Sequence, residues 1–151
     1  MVDVTLKQQL IASMKDAMRA RQTARLGVIR LVNAAIKQKE VDERIELNDE
    51  QVLEVLTKMV KQRKESISQF ESASRQDLAD IEHAEVAVIQ EFLPEAMSEA
   101  QVNAALDEVI AETGASSLKD MGKVMAALKP KLQGRADMGQ VSADVKKRLL
   151  A

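Results

Sequence analysis

Cysteine, tyrosine and tryptophan are absent from this chain, and histidine occurs once. Without thiols there is no disulfide framework and no thiolate metal site. A single imidazole also excludes the paired Glu-x-x-His ligands of a di-iron bundle. The only aromatic residues are two phenylalanines, so the core must be built from Leu, Ile, Val, Ala and eight Met. Methionine packs adaptably and specifies shape weakly. The same poverty of aromatics argues against nucleic-acid readers that stack bases on ring side chains. No apolar run approaches the ~20 residues that span a bilayer, and the N-terminus MVDVTLKQQL has no apolar signal region. These absences point to a soluble cytoplasmic protein that does not enter membranes.

What the chain does contain is helix signals from end to end. Thr5 with Gln8, Asn48 with Gln51 and Ser98 with Gln101 read as capping boxes. Apolar residues recur at helical spacing after each of them: Leu6, Leu10 and Met14, then Val52, Leu56 and Met59, then Val102, Leu106 and Val109. A second helix is expected over 24–39, followed by an acidic loop at 40–48. A fourth, marked by Leu78, Ile81, Val88, Ile89 and Phe92, is ended by Pro94. Gly114 supplies a left-handed cap. A sixth helix begins at Ser117, Pro130 and Gly134 bracket a loop, and Asp137 with Gln140 opens a seventh. The reading is an all-α fold of about seven helices. A four-helix N-terminal domain occupies 1–94, and a three-helix C-terminal domain occupies 95–151.

Several motifs fail on mechanism. The stretch GRADMG at 134–139 matches half of a phosphate-binding P-loop, but Gln140 and Val141 replace the required Lys and Ser/Thr, and no strand precedes it. Gly134 is read as a tight turn, and Gly139 as a tolerated residue in a first helical turn. Gly122 falls mid-helix, where it costs about 1 kcal/mol against Ala, so close packing by a neighbouring helix is expected there. His83, between Asp80 and Glu85, lacks the cysteines of a zinc deaminase site. The acidic loop lacks the ligand spacing of an EF-hand. No nucleophile stands out, and neither a metal nor a cofactor is expected.

Charge carries the functional signal. The chain is acidic overall, yet residues 115–151 hold eight Lys/Arg against three acids. Residues 7–39 hold eight against Asp16 alone, and residues 65–112 hold twelve acids against Arg75. Lys119, Lys123, Lys129, Lys131, Arg135, Lys146 and Lys147 form the candidate nucleic-acid-binding set, with Lys129, Lys131 and Arg135 placed in the loop. Cations at the end of the last helix also suit its dipole. With no rings to stack on, such a surface would read the backbone and shape of a folded nucleic acid.

The tail LKDMGKVMAALKPKLQGRADMGQVSADVKKRL resembles the YqeY family. The N-terminal half resembles it too, in RLGVIRLVNAAIKQKEVDERIELNDEQV, in KQRKESISQF and in the EFLP boundary. That family is related to the C-terminal region of the B subunit of the glutamine-dependent aminoacyl-tRNA amidotransferase. One departure is Ala126, where the family pattern has a second glycine. The resemblance implies a helical N-terminal domain joined to a three-helix tail, with tRNA as the polyanion and amidotransferase or other translation proteins as partners. A label of carbon–nitrogen ligase activity with glutamine as amido donor would be inherited by association. The expectation is a tRNA-binding or amidotransferase-associated accessory module without catalysis by this chain alone. The alternative is an adaptor that docks a partner helix in a methionine-rich groove, with Met18, Met59, Met97, Met121, Met125 and Met138 as candidates.

Overall fold

The computed structural model describes residues 4–150. The outermost ends of the expected domain spans, and the first three residues weighed for a leader, lie outside the described residues. Seven α-helices make up the described chain: α1 (Leu6–Arg19), α2 (Thr23–Glu43), α3 (Asp49–Ser72), α4 (Gln76–Gln90), α5 (Glu99–Thr113), α6 (Met121–Leu132) and α7 (Met138–Leu150). A 3-10 turn (Leu118–Asp120) precedes α6, and no strand occurs among the described residues. The fold is all-α. No helix of the described residues is long and apolar enough to cross a membrane.

The chain divides into two compact units, Met1–Pro94 and Glu95–Ala151. In the first, α1 to α4 bury Leu10, Val32, Val52, Leu56 and Ile89 in one aliphatic core. All three capping boxes form, each with the cap side chain accepting from the N3 amide and the N3 glutamine accepting from the cap amide. Leu47 and Val52, flanking the Asn48 cap, are both buried and staple the start of α3. Leu6 N donates to Asp49 Oδ1 at 3.0 Å, which ties the start of α1 to the first turn of α3.

Two expectations need correction here. The second helix does not stop at 39 but continues to Glu43, where Arg44 caps it in the left-handed region at φ 56°. The cause is tertiary. Glu40 accepts from Lys7 Nζ at 2.6 Å and from the Leu47 amide at 2.8 Å, which holds an acidic stretch in helical form. Those two donors keep the Glu40 carboxyl below its usual range. Ile81, expected inside α4, is exposed, and Ala79 and Val86 are buried in its place. Arg63, which interrupts the apolar stripe of α3, donates from Nε to Glu85 Oε2 at 2.8 Å across the α3–α4 contact.

Gly27 lies in the second turn of α2 on its exposed side, and a β-carbon there would meet nothing within 4 Å. Gly27→Ala is therefore expected to stabilise the first unit by about 1 kcal/mol, through helix propensity alone. A thermal melt followed by far-UV circular dichroism should move up by a few degrees. A lower midpoint would mean that α2 is closely covered at this position.

Candidate polyanion-binding surface

In the second unit α5, α6 and α7 enclose Leu106, Val109, Val124, Leu128, Leu132, Val141 and Val145. Gly114, in the left-handed region at φ 66°, ends α5. The chain re-enters helix through Ser117, whose carbonyl accepts from the Asp120 amide at 3.0 Å. Asp120 also accepts from the amides of Ser116 at 2.9 Å and Ser117 at 3.2 Å. Those two backbone donors hold its carboxyl below the usual carboxylate range.

Helix α6 runs through Pro130 to Leu132. Lys129 and Lys131 are thus on its last turn and not in a loop, contrary to the sequence expectation. Leu128 and Leu132 are fully buried, and that burial outweighs the hydrogen bond a proline removes. Gly134, at φ 79°, makes the turn that follows. Asp137 then accepts from the amides of Gly139 at 2.9 Å and Gln140 at 3.4 Å. The Gln140 side chain, however, donates forward to Asp144 and does not return to the cap. A β-carbon at Gly139 would approach Asp137 Oδ1 to 3.2 Å, so glycine suits this first turn.

Gly122 is not packed against a neighbour. It lies exposed in the first turn of α6, with nothing within 4 Å of an added β-carbon. The α-helix begins four residues later than the sequence suggested, at Met121, so Gly122 is near its start and not in its middle. Ala126 is exposed as well.

The topology sorts the seven candidate cations into two groups. A five-residue connection turns α6 back into α7, so the start of α6 lies beside the end of α7. The 3-10 turn packs on α7 accordingly. Lys119, Lys123, Lys146 and Lys147 share that end of the unit, and all four are exposed. None of them forms an ion pair with a carboxylate among the described residues. Lys123 donates from Nζ to the Thr113 carbonyl at 3.0 Å, which caps the C-terminus of α5. Lys129, Lys131 and Arg135 lie at the other end, about 12 Å further along α6 for the eight residues from Lys123 to Lys131. Lys131 reaches Glu108 at 3.5 Å. Arg135 donates from Nε to the Glu95 carbonyl at 2.9 Å, and its own carbonyl accepts from Met97 N at 2.8 Å. Arg135 therefore clamps the segment that leads into α5. Lys129 and Lys131 also project about 160° apart around α6. A single hook of seven residues is not what the fold builds.

The acids of this unit are largely engaged. Asp107 pairs with Arg148, whose Nη2 also donates to Asn103 at 3.1 Å. Asp120 and Asp137 serve caps, and Asp144 accepts from Gln140. Sequence reasoning missed Arg148 as an internal ion pair, since its partner lies 41 residues away. The methionines of the adaptor alternative are spread over both units and are mostly engaged in packing. Met59 is in the first core, and Met97, Met121, Met125 and Met138 pack against the second, which leaves Met18 exposed. His83 stands 3.4 Å from Glu71 on an exposed face, and no group of described acidic, His or Cys side chains is arranged to hold a metal ion.

The family model described as Yqey-like protein matches residues 7–149. Among curated relatives, "Altered inheritance of mitochondria protein 41, mitochondrial" of Lachancea thermotolerans is 30% identical over 139 residues, covering 87% of this chain and 74% of the relative. The protein of the same name in Kluyveromyces lactis is 36% identical over 111 residues, with 71% and 57% covered. That of Eremothecium gossypii is 38% identical over 120 residues, with 75% and 63% covered. The chain thus spans less than two thirds of the length of two of these three relatives. Their names overturn the expectation of a cytoplasmic protein, because they are mitochondrial. The compositional features behind that expectation do not distinguish cytoplasm from the interior of an organelle.

Proposed function

The chain belongs to the YqeY-like protein family, and from that premise we propose that it is an accessory module that holds tRNA by its sugar–phosphate contour and has no active site of its own. The observation that carries this reading is the group of Lys119, Lys123, Lys146 and Lys147 at one end of the second unit, none of them in an ion pair among the described residues; Asp120 feels the charge of Lys123, while Asp107, Glu108, Asp137 and Asp144 are engaged elsewhere. Exposed lysines of this kind favour phosphates and carry no base specificity. Shape recognition needs no aromatic platform, and the chain has none to offer. The likeness to the C-terminal region of an amidotransferase B subunit supports tRNA as the polyanion. It also makes an amidotransferase a natural associate. A ligase label on such a chain would describe that association.

Contact with four phosphates makes affinity fall on the order of a hundredfold between 50 and 200 mM salt. Fluorescence anisotropy with labelled tRNA should show this for the wild type. Lys119→Glu/Lys147→Glu should weaken binding at least tenfold, and Lys131→Glu, at the loop end, should change it little. No binding at 50 mM salt, or equal losses from both variants, would remove this reading.

A further inference from the structure

The first unit carries a second cationic surface that the proposed tRNA site does not use. Between Asp16 and Glu40 there is no acidic residue, and there are six basic ones. Three of the six are paired: Arg19 with Asp16, Arg25 with Glu91, and Lys39 with Glu54. Arg21, Arg30 and Lys37 are exposed and form no ion pair with a carboxylate among the described residues. Helix α2 packs on α1, α3 and α4 through Val28, Ile29, Val32 and Ile36. The side facing away from that core holds Gly27, Arg30, Ala34, Lys37 and Val41, all exposed. Arg30 and Lys37 are seven residues apart, so they project within about 20° of one another and about 10 Å apart along the axis. Arg44 continues the series as the left-handed cap at the helix end. Carboxylates intrude only there: Glu40 is held by Lys7 and also feels the charge of Lys37, Asp42 accepts from Gln38, and Glu46 stands 3.7 Å from Lys7.

We propose that this face of α2, centred on Arg30 and Lys37, is a second phosphate-contacting surface for the same tRNA; the proposal rests on the reading that the chain binds tRNA. The small Ala34 between the two cations, and Gly27 one turn before them, leave room for a sugar–phosphate strand to lie along the helix. An acidic partner helix fits less well. It needs a continuous apolar ridge to dock, and the line between the cations offers only Ala34. The larger Leu31 and Val41 are ten residues apart and project on different sides, about 80° from each other. An ordinary solvated helix face would intersperse both signs of charge, and α2 carries no acid before its last turn, from Thr23 to Lys39.

The experiment compares full-length wild type, Arg30→Gln/Lys37→Gln and Arg30→Glu/Lys37→Glu for tRNA binding from 50 to 200 mM salt. Lys58→Glu/Lys61→Glu, on exposed positions of α3, is the control with the same change of net charge as the second variant. The α2 variants should bind at least tenfold more weakly at 50 mM, with the slope of log affinity against log salt reduced by about two. The α3 control should keep its slope. Equal losses from the α2 and α3 reversals, or wild-type binding by both α2 variants, would overturn the proposal and leave the lysine end of the second unit standing. Unchanged tRNA binding with loss of a nuclease-resistant protein partner in the α2 variants would overturn it in favour of an acidic protein. Wild type that binds no tRNA at all sinks the underlying reading and this one together.

Discussion

Leu128→Ala is expected to unfold the second unit. Leu128 is fully buried among Leu106, Val124 and Val145, on the one side of α6 that faces the core. Truncation removes one methine and two methyl carbons and opens a cavity, which costs about 3–4 kcal/mol when neighbours relax only in part. A fold of fewer than 60 residues has only about 3–5 kcal/mol of stability in total, so the loss exhausts it. Aromatic reporters are missing, and amide exchange read by mass spectrometry is the measurement of choice. Peptides from α5, α6 and α7 should lose protection, while those from α3 and the buried part of α2 keep theirs. Retained protection in α6 would mean that the aliphatic core is more redundant than its packing indicates.

Glu85→Ala should destabilise the first unit by about 2 kcal/mol, between the value of an exposed ion pair and that of a buried one. The estimate turns on Arg63, whose side chain is 14% exposed and faces Glu85 at 24%. Removing the carboxylate leaves a guanidinium in the α3–α4 contact with the Met59 carbonyl, a long 3.4 Å away, as its other acceptor. The double variant Arg63→Leu/Glu85→Ala should recover most of the loss, because an aliphatic side chain can fill the space that the stem of Arg63 occupies without carrying a charge. Urea melts of the two single variants and the double variant provide the test. A double variant no more stable than Glu85→Ala would place the loss in packing and not in the unpaired charge.

What could be read from the amino-acid order, and what could not, divides by range. The caps at Thr5, Asn48 and Ser98 were legible because each is settled within four residues. So was the turn at Gly114, where the backbone needs a residue without a side chain. The last turn of α2 was not, since it depends on Lys7, 33 residues earlier. Pro130 misleads for the same reason: a local breaker loses to Leu128 and Leu132, whose burial is a property of the folded unit. Gly122 carried a misleading signal, because its position in a helix depends on where that helix starts. The basic tail was visible as composition. Its division into two ends was not, because that follows from the direction in which α7 returns along α6. The clamp by Arg135 on the Glu95 carbonyl leaves no trace in spacing, as backbone acceptors exist at every residue.

Pro130 has one more effect on α6. A proline nitrogen carries no hydrogen, so the Ala126 carbonyl has no donor four residues on. Ala126 is exposed, and water can take that place. The final turn of α6 is consequently fastened by its two leucines more than by its own ladder. In native protein it should fray ahead of the rest of the helix, and a protease that cleaves after lysine should nick first at Lys131, on the far side of the unit from the lysines proposed to hold RNA.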